Sequence, residues 1–312
     1  MKLKLDFNID PFPFNVSHND NVVLLGSCFS DEIGRCLERE GFMVSSNPFG
    51  TLFHPLAISN ALLSSLNQDV HLNVFRRNDL YLSWDSASKL FATSSEGLKK
   101  KVIDARASLK ADVQKAKLLI VTFGTAKGYR HIENDQLVGN CHKAPPETFT
   151  SELTKMDEIV HEWKNLIAQL KKGNPGLEIV FTVSPVRHKK DGLAENNRSK
   201  AQLIEAVHQL KELSGVHYFP SYEILIDELR DYRFYANDLV HPSGQAVEYI
   251  WSKFSKSVFN VETQRVSKKV ELIKIGLNHR ALFPGSIEDQ ERLEKLRESQ
   301  KELSSLYSSI VW

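Results

Sequence analysis

Two short stretches carry residue types able to do chemistry together. The first, Gly26-Ser27-Cys28-Phe29-Ser30, follows four apolar residues at 22–25 and precedes Ile33, Cys36 and Leu37 at helical spacing. This predicts a buried parallel strand, a glycine turn and a helix that begins on a small nucleophile. A thiol or hydroxyl there points out of the carboxyl end of a sheet. It lies beside the free N–H groups of the helix, which can hold a developing oxyanion and favour a thiolate. The second stretch, Asp238-x-x-His241, lies far along the chain on a turn before a helix. A nucleophile needs a base in reach and a third group to orient that base. An Asp and a His three apart on a turn can present a carboxylate to one imidazole nitrogen while the other faces the nucleophile.

Bringing these stretches together requires a sheet. Apolar runs at 22–25, 118–123 and 177–183, with shorter strand candidates at 42–44 and 216–220, alternate with amphipathic helices. That order implies an α/β fold, a parallel sheet with helices on both faces. Helices are expected at 54–66, where His54-Pro55 opens the pattern, at 96–114 capped by Ser94 or Ser95, and at 149–172, 199–213, 221–229 and 244–258. Residues 70–93 alternate and carry aromatics, so short strands outside the main sheet are expected, and 129–137 reads as a hairpin turning at Asn134-Asp135. Residues 189–197 read as a polar loop, and the first 20, with Pro11-Phe12-Pro13-Phe14, as an extended arm packed by its aromatics. Beyond Asn260 the strands cease. Charged amphipathic helices at 266–275 and 287–307 form a C-terminal extension suited to packing or to homo-oligomer contacts, which divides the chain into 1–260 and 261–312.

The 312 residues carry 40 Lys and Arg against 39 Asp and Glu, so charge offers no case for nucleic acid or an anionic membrane as partner. Three cysteines, Cys28, Cys36 and Cys141, form no CxxC pair, which argues against a disulfide framework or a zinc-type site and fits a reducing compartment. No run approaches membrane-spanning length, and Met1-Lys2-Leu3-Lys4-Leu5-Asp6 lacks an apolar core of signal-peptide length. The reading is a cytoplasmic protein with no membrane partner, no metal and no cofactor.

On its Gly26-Ser27-Cys28-Phe29-Ser30 pentapeptide and Asp238-x-x-His241, the chain resembles the GSCFA family, whose members are similar to the SGNH/GDSL hydrolases; the resemblance covers roughly residues 17–260. It implies a three-layer, flavodoxin-like SGNH hydrolase fold. Laid over the superfamily's Gly-Asp-Ser, Gly26 matches the glycine, Ser27 the aspartate and Cys28 the nucleophilic serine. Ser27 is the rival nucleophile if the turn winds one residue differently, and it equally suits a helix N-cap. His241 would be the base and Asp238 its orienting carboxylate.

The superfamily's oxyanion hole uses the nucleophile's own N–H, a glycine from a second block and an asparagine from a third. Gly50 suits the second. In the third, normally Gly-x-Asn after a buried strand, Gly124-Thr125-Ala126 has Ala where the amide belongs. Asn140 is the best substitute, with His142 beside it, and Thr125 is a weaker one. Arg187 and His188, at the end of a core strand on the same sheet edge, are candidates to bind a polar or anionic substrate group, with Asn197, Ser199 and Lys200 extending the site. The implied activity is acyl ester hydrolysis, with an O-acyl, typically acetyl, group on a carbohydrate or small molecule as substrate. Two alternatives stand beside it: an acyltransferase in polysaccharide assembly using the same triad, and a non-catalytic carbohydrate-binding protein, which the missing asparagine favours.

Overall fold

The computed structural model describes residues 5–67 and 72–312; the first four residues of the chain and Val70, which opens the alternating stretch, lie outside them. Five strands form the central sheet: β1 (Asn21–Gly26), β2 (Met43–Ser46), β5 (Ala116–Phe123), β9 (Glu178–Val183) and β10 (Val216–Phe219). All their pairings are parallel, in the spatial order β2-β1-β5-β9-β10. Counting only these five strands, that is the doubly wound order 2-1-3-4-5. Its switch point falls between β1 and β5, where a crevice opens outside the carboxyl ends of the strands.

Burial shows why these sequences make such strands. Val23 and Leu25 of β1 join Leu119, Val121 and Phe123 of β5 in one core, while Val22 and Leu24 join Leu118 and Ile120 in the other. Alternate residues enter opposite layers and both layers are apolar, so the strands read as unbroken apolar runs.

On the first face lie α2 (Pro55–Leu66), α3 (Ser95–Lys115), α4 (Met156–Gly173) and α5 (Leu193–Leu210). The second face is covered by α1 (Cys28–Arg39), α6 (Ser221–Glu223) running on as a π-helical turn (Ile224–Leu229), and α7 (Gly244–Val258). Phe12 and Phe14 of the N-terminal arm stack 5.5 Å apart beside His217 at the edge strand. The arm is packed by its aromatics, as its composition implied.

Outside the sheet lie a hairpin of β3 (Val74–Arg77) and β4 (Leu80–Ser83), and a three-stranded antiparallel sheet of β6 (Lys127–His131), β7 (Gln136–Leu137) and β8 (Phe149–Leu153). Here two expectations fail. Residues 149–153 are a strand and not the start of α4, because Phe149 to Leu153 pair in register with β6. The helix expected from residue 199 begins at Leu193, after Gly192 in a left-handed conformation (φ 84°), so only a short 3-10 turn (Lys189–Asp191) remains of the polar loop.

Residues beyond α7 form α8 (Val261–Asn278) and α9 (Ile287–Leu306), which share a small core of Val266, Val270, Ile273, Leu303 and Ile310. This pair grips the far end of α1. Val311 N–H donates to Gly41 O at 2.9 Å, Lys274 Nζ to Glu38 O at 2.7 Å, and Arg39 pairs with Glu271 at 2.9 Å. Among the described residues no helix is long and apolar enough to cross a membrane.

Candidate active site

The turn after β1 can only be made with glycine at position 26. Its φ is 131°, and a Cβ there would sit 2.1 Å from Thr122 O on β5. Gly26 N–H donates to Asn47 Oδ1 at 2.8 Å, and Asn47 Nδ2 donates to Asp31 Oδ1 at 2.8 Å, so a buried side-chain amide ties the turn to the first turn of α1. Asn47 itself has a φ of 43°, and nothing in its sequence context marked it for this work.

Ser27 is the N-cap of α1: it is buried, its Oγ accepts from Phe29 N–H at 3.3 Å, and its own N–H donates to Thr122 O at 3.1 Å. Cys28 is the first helical residue and partly exposed. Its own N–H lies beside the thiol and favours the thiolate, yet burial first and the Asp31 carboxylate second push the Cys28 thiol above its usual range. The easily ionised thiol expected from the sequence is therefore corrected: the helix start is outweighed by desolvation and by an acidic first turn. Cys36 is pushed up to about 12 by burial, while Cys141 is raised by burial and less deeply placed.

The second stretch folds into a tight surface turn. Ala236 N–H donates to His241 O, and Leu239 adopts a φ of 59°. Asp238 Oδ2 meets His241 Nδ1 at 2.6 Å, while Asp238 Oδ1 accepts the N–H groups of Val240 and His241. Those bonds, the one to the ring foremost, hold the Asp238 carboxyl well below the usual range. With Nδ1–H donated to Asp238, Nε2 is the ring's acceptor. Arg187 N–H donates to Val240 O at 3.2 Å, which pins this turn to the end of β9. Among the described residues no hydrogen bond joins Cys28 to His241, and catalytic contacts of this type commonly close only on a bound substrate.

Between the two stretches lies a lysine. Strand register aligns Gly26, Thr122 and Thr182 across β1, β5 and β9; beyond them Cys28 opens α1, while Gly124 and Ser184 follow the ends of β5 and β9. Lys200 of α5, 1 % exposed, reaches those two strand ends and donates to Gly124 O at 2.7 Å and to Ser184 O at 2.6 Å. No carboxylate pairs with it among the described residues, and burial drives its pKa down to about 7, the charge of Cys28 pulling the other way. The sequence marked Lys200 only as a rim extension; burial of a lysine leaves no trace in composition or period.

The remaining candidates are distributed as follows. Gly50 N–H, expected in the oxyanion hole, donates to Asn47 O at 2.8 Å and is engaged in its own turn. Asn140 Oδ1 accepts from His142 N–H at 2.7 Å, and neighbouring Gly139 packs on Leu52, whose N–H donates to Gly26 O. His142 uses both ring nitrogens in the outer hairpin, with Ser83 O at 2.8 Å and Ser88 Oγ at 3.3 Å, near the stacked Phe75 and Trp84. Burial lowers its pKa, so as a substrate residue it would have to act from that engaged, neutral state.

His188 stands edge-on to Phe53, and burial, then the Lys200 charge, brings it down to about 4; it is neutral near pH 7 and cannot attract an anion by charge. The Arg187 guanidinium lies over the Tyr235 ring at 4.2 Å and the Tyr232 ring at 5.3 Å. Thr125 Oγ1 meets Ser199 Oγ, which also accepts from Ala126 N–H at 2.7 Å, so the place of the missing asparagine is closed by α5.

The sequence model of the GSCFA family matches residues 21–254. No curated protein matches the chain in sequence. Among solved structures, the chain is similar to a carbohydrate esterase family 3 protein from Talaromyces cellulolyticus, at 9 % identity over 80 % of this chain and 99 % of that one, with a TM-score of 0.37. It is also similar to an acetyl xylan esterase from the rumen bacterium Butyrivibrio proteoclasticus, at 10 % identity over 77 % and 64 %, with a TM-score of 0.40. A third is a family two carbohydrate esterase from Clostridium thermocellum in complex with cellohexaose, at 13 % identity over 81 % and 66 %, with a TM-score of 0.32. The chain thus spans just under two thirds of the length of the latter two.

Proposed function

The chain belongs to the GSCFA family, and from that premise we propose that it is an acyl ester hydrolase working through Cys28, His241 and Asp238. Cys28 Sγ attacks the ester carbonyl while His241 Nε2 takes the thiol proton. Asp238 holds the ring by Nδ1 and stabilises the imidazolium. The tetrahedral oxyanion receives Cys28 N–H at the start of α1, with Asn140 Nδ2 proposed as the side-chain donor that joins it. Collapse expels the alcohol, which takes the proton from His241, and leaves an acyl thioester. Water, deprotonated by the same ring, then releases the acid and restores the thiol.

The observation that carries this reading is the Asp238–His241 pair at 2.6 Å, on a turn bonded to the end of β9 at the rim where Cys28 opens α1. An O-acetylated carbohydrate is the substrate class proposed. Arg187 over Tyr235, beside a Tyr232 that is 60 % exposed, offers the cation and aromatic face that suit a polar ring.

The test is release of acetate from a chromogenic acetyl ester and from acetylated oligosaccharides by the wild type, Cys28→Ala, Ser27→Ala and His241→Ala. Activity lost in Cys28→Ala and His241→Ala but kept in Ser27→Ala supports the thiol triad. Four equally inert proteins that still bind the glycan would replace it with the binding-protein reading.

A further inference from the structure

A lysine that is 1 % exposed, bonded only to neutral carbonyls and unpaired with any carboxylate among the described residues, is an expensive thing for a fold to keep. If its role were only to tie two strand ends, an amide or hydroxyl would do so without a buried charge. The two carbonyls it holds, of Gly124 and Ser184, follow the ends of β5 and β9, and two residues before Gly124 the Thr122 carbonyl accepts the N–H of Ser27, the residue next to Cys28. Two of its three N–H groups are directed by those bonds, and its Nζ lies 5.5 Å from the centre of the Tyr222 ring.

We propose that Lys200 is a positioning residue for the nucleophile, its ammonium supplying the positive charge that stabilises the Cys28 thiolate. The proposal rests on the nucleophile assignment above and adds the group that offsets what works against it. The charges facing the thiol are Asp31 and Glu32 on its own helix, both unfavourable to a thiolate, and Lys200 from α5, favourable. Those facing the lysine are Cys28 and, through its own ring, His188, which in turn feels Asp191 and His241. Thiol and amine lose protons as a couple. Where the lysine is charged the thiolate is favoured, and once the lysine is neutral the help is gone.

This gives a pH signature that a structural tie lacks. Iodoacetamide alkylation of Cys28, read by mass spectrometry of its peptide, is measured from pH 6 to pH 10 in the wild type, Lys200→Met, Lys200→Gln and Lys200→Arg. Lys200→Gln keeps amide donors for the two carbonyls without the charge, and Lys200→Arg keeps the charge. The expected result is alkylation at least tenfold slower in Lys200→Met and Lys200→Gln at pH 6.5, with the deficit shrinking towards nothing by pH 10, and a rate in Lys200→Arg within about threefold of wild type throughout.

A deficit equal at every pH, or no deficit, overturns the proposal. Should the variants not fold, the wild-type profile decides: a rise to about pH 7, a flattening, then a second rise supports coupling, and a single rise of unit slope refutes it. The readout is a thiol rate and not ester turnover. An inert enzyme with the expected profile would sink the hydrolase reading alone, and an active enzyme with a flat comparison would sink this one alone.

Discussion

Lys200 is buried and Cys28 half-buried at the start of α1, whereas Asp238 and His241 sit on a surface turn with 49 % and 50 % of their side chains exposed. The first pair is held by sheet register and helix start, and its ionisation is set by desolvation. The second is held by a local loop and one backbone bond to β9, and water screens its charges. Position is thereby divided: sheet and helix start fix Cys28, while a short surface loop tied by one backbone bond carries Asp238 and His241.

That contrast can be broken most decisively at the nucleophile. Cys28→Ala is expected to lower ester turnover by at least a thousandfold, and His241→Ala by about 10² to 10⁴-fold, both read as kcat/KM on the chromogenic ester. Asp238→Asn, which leaves the ring without its carboxylate, is expected to cost about 10 to 10³-fold in kcat with KM within a few-fold, the smaller loss reflecting a pair already in water.

The stability of the two regions should also part with pH. Lys200 holds its proton to about 7 in the fold, against about 10.5 in an unfolded chain, so over that window the unfolded state binds more protons and stability rises with pH. The slope is about 1.4 kcal/mol per pH unit, read by urea unfolding at pH 7.5 and 9, and Lys200→Gln should remove it.

His54 makes the matching argument on the acid side. Its Nδ1 accepts from Leu56 N–H at the start of α2 and its Nε2 lies 3.2 Å from Ala126 O, and burial brings its pKa down to about 4. The unfolded ring binds its proton near pH 6.5, so this contribution is lost as pH falls from there towards 4. The smallest effect is expected at Ser27→Ala: about 1 kcal/mol of stability from the lost cap and turnover within a few-fold of wild type.

Much of this arrangement was legible in the chain, and the reasons are physical. Strands buried on both faces must be apolar throughout, so β1, β5 and β9 declared themselves, and the helices Pro55–Leu66 and Gly244–Val258 begin where His54 and Ser243 cap them. The strand Phe149–Leu153 did not, because its pairing with β6 is a long-range fact and its own pattern runs smoothly into the helix that follows. Of the rim, Cys28, Asp238 and His241 were marked by type and spacing. Lys200 drew notice only as an extension of the rim, and Asn47 drew none, since what singles them out is burial against backbone atoms from other strands.

The clasp of Val311, Lys274 and Glu271 on the far end of α1 carries a mechanical consequence. Helix α1 is tied at one end by the Gly26 turn and at the other by the α8–α9 pair. On the proposed nucleophile assignment the aim of the sulfur rests in part on that far clasp, and splicing slack between α7 and α8 is expected to slow ester turnover without touching Cys28, His241 or Asp238.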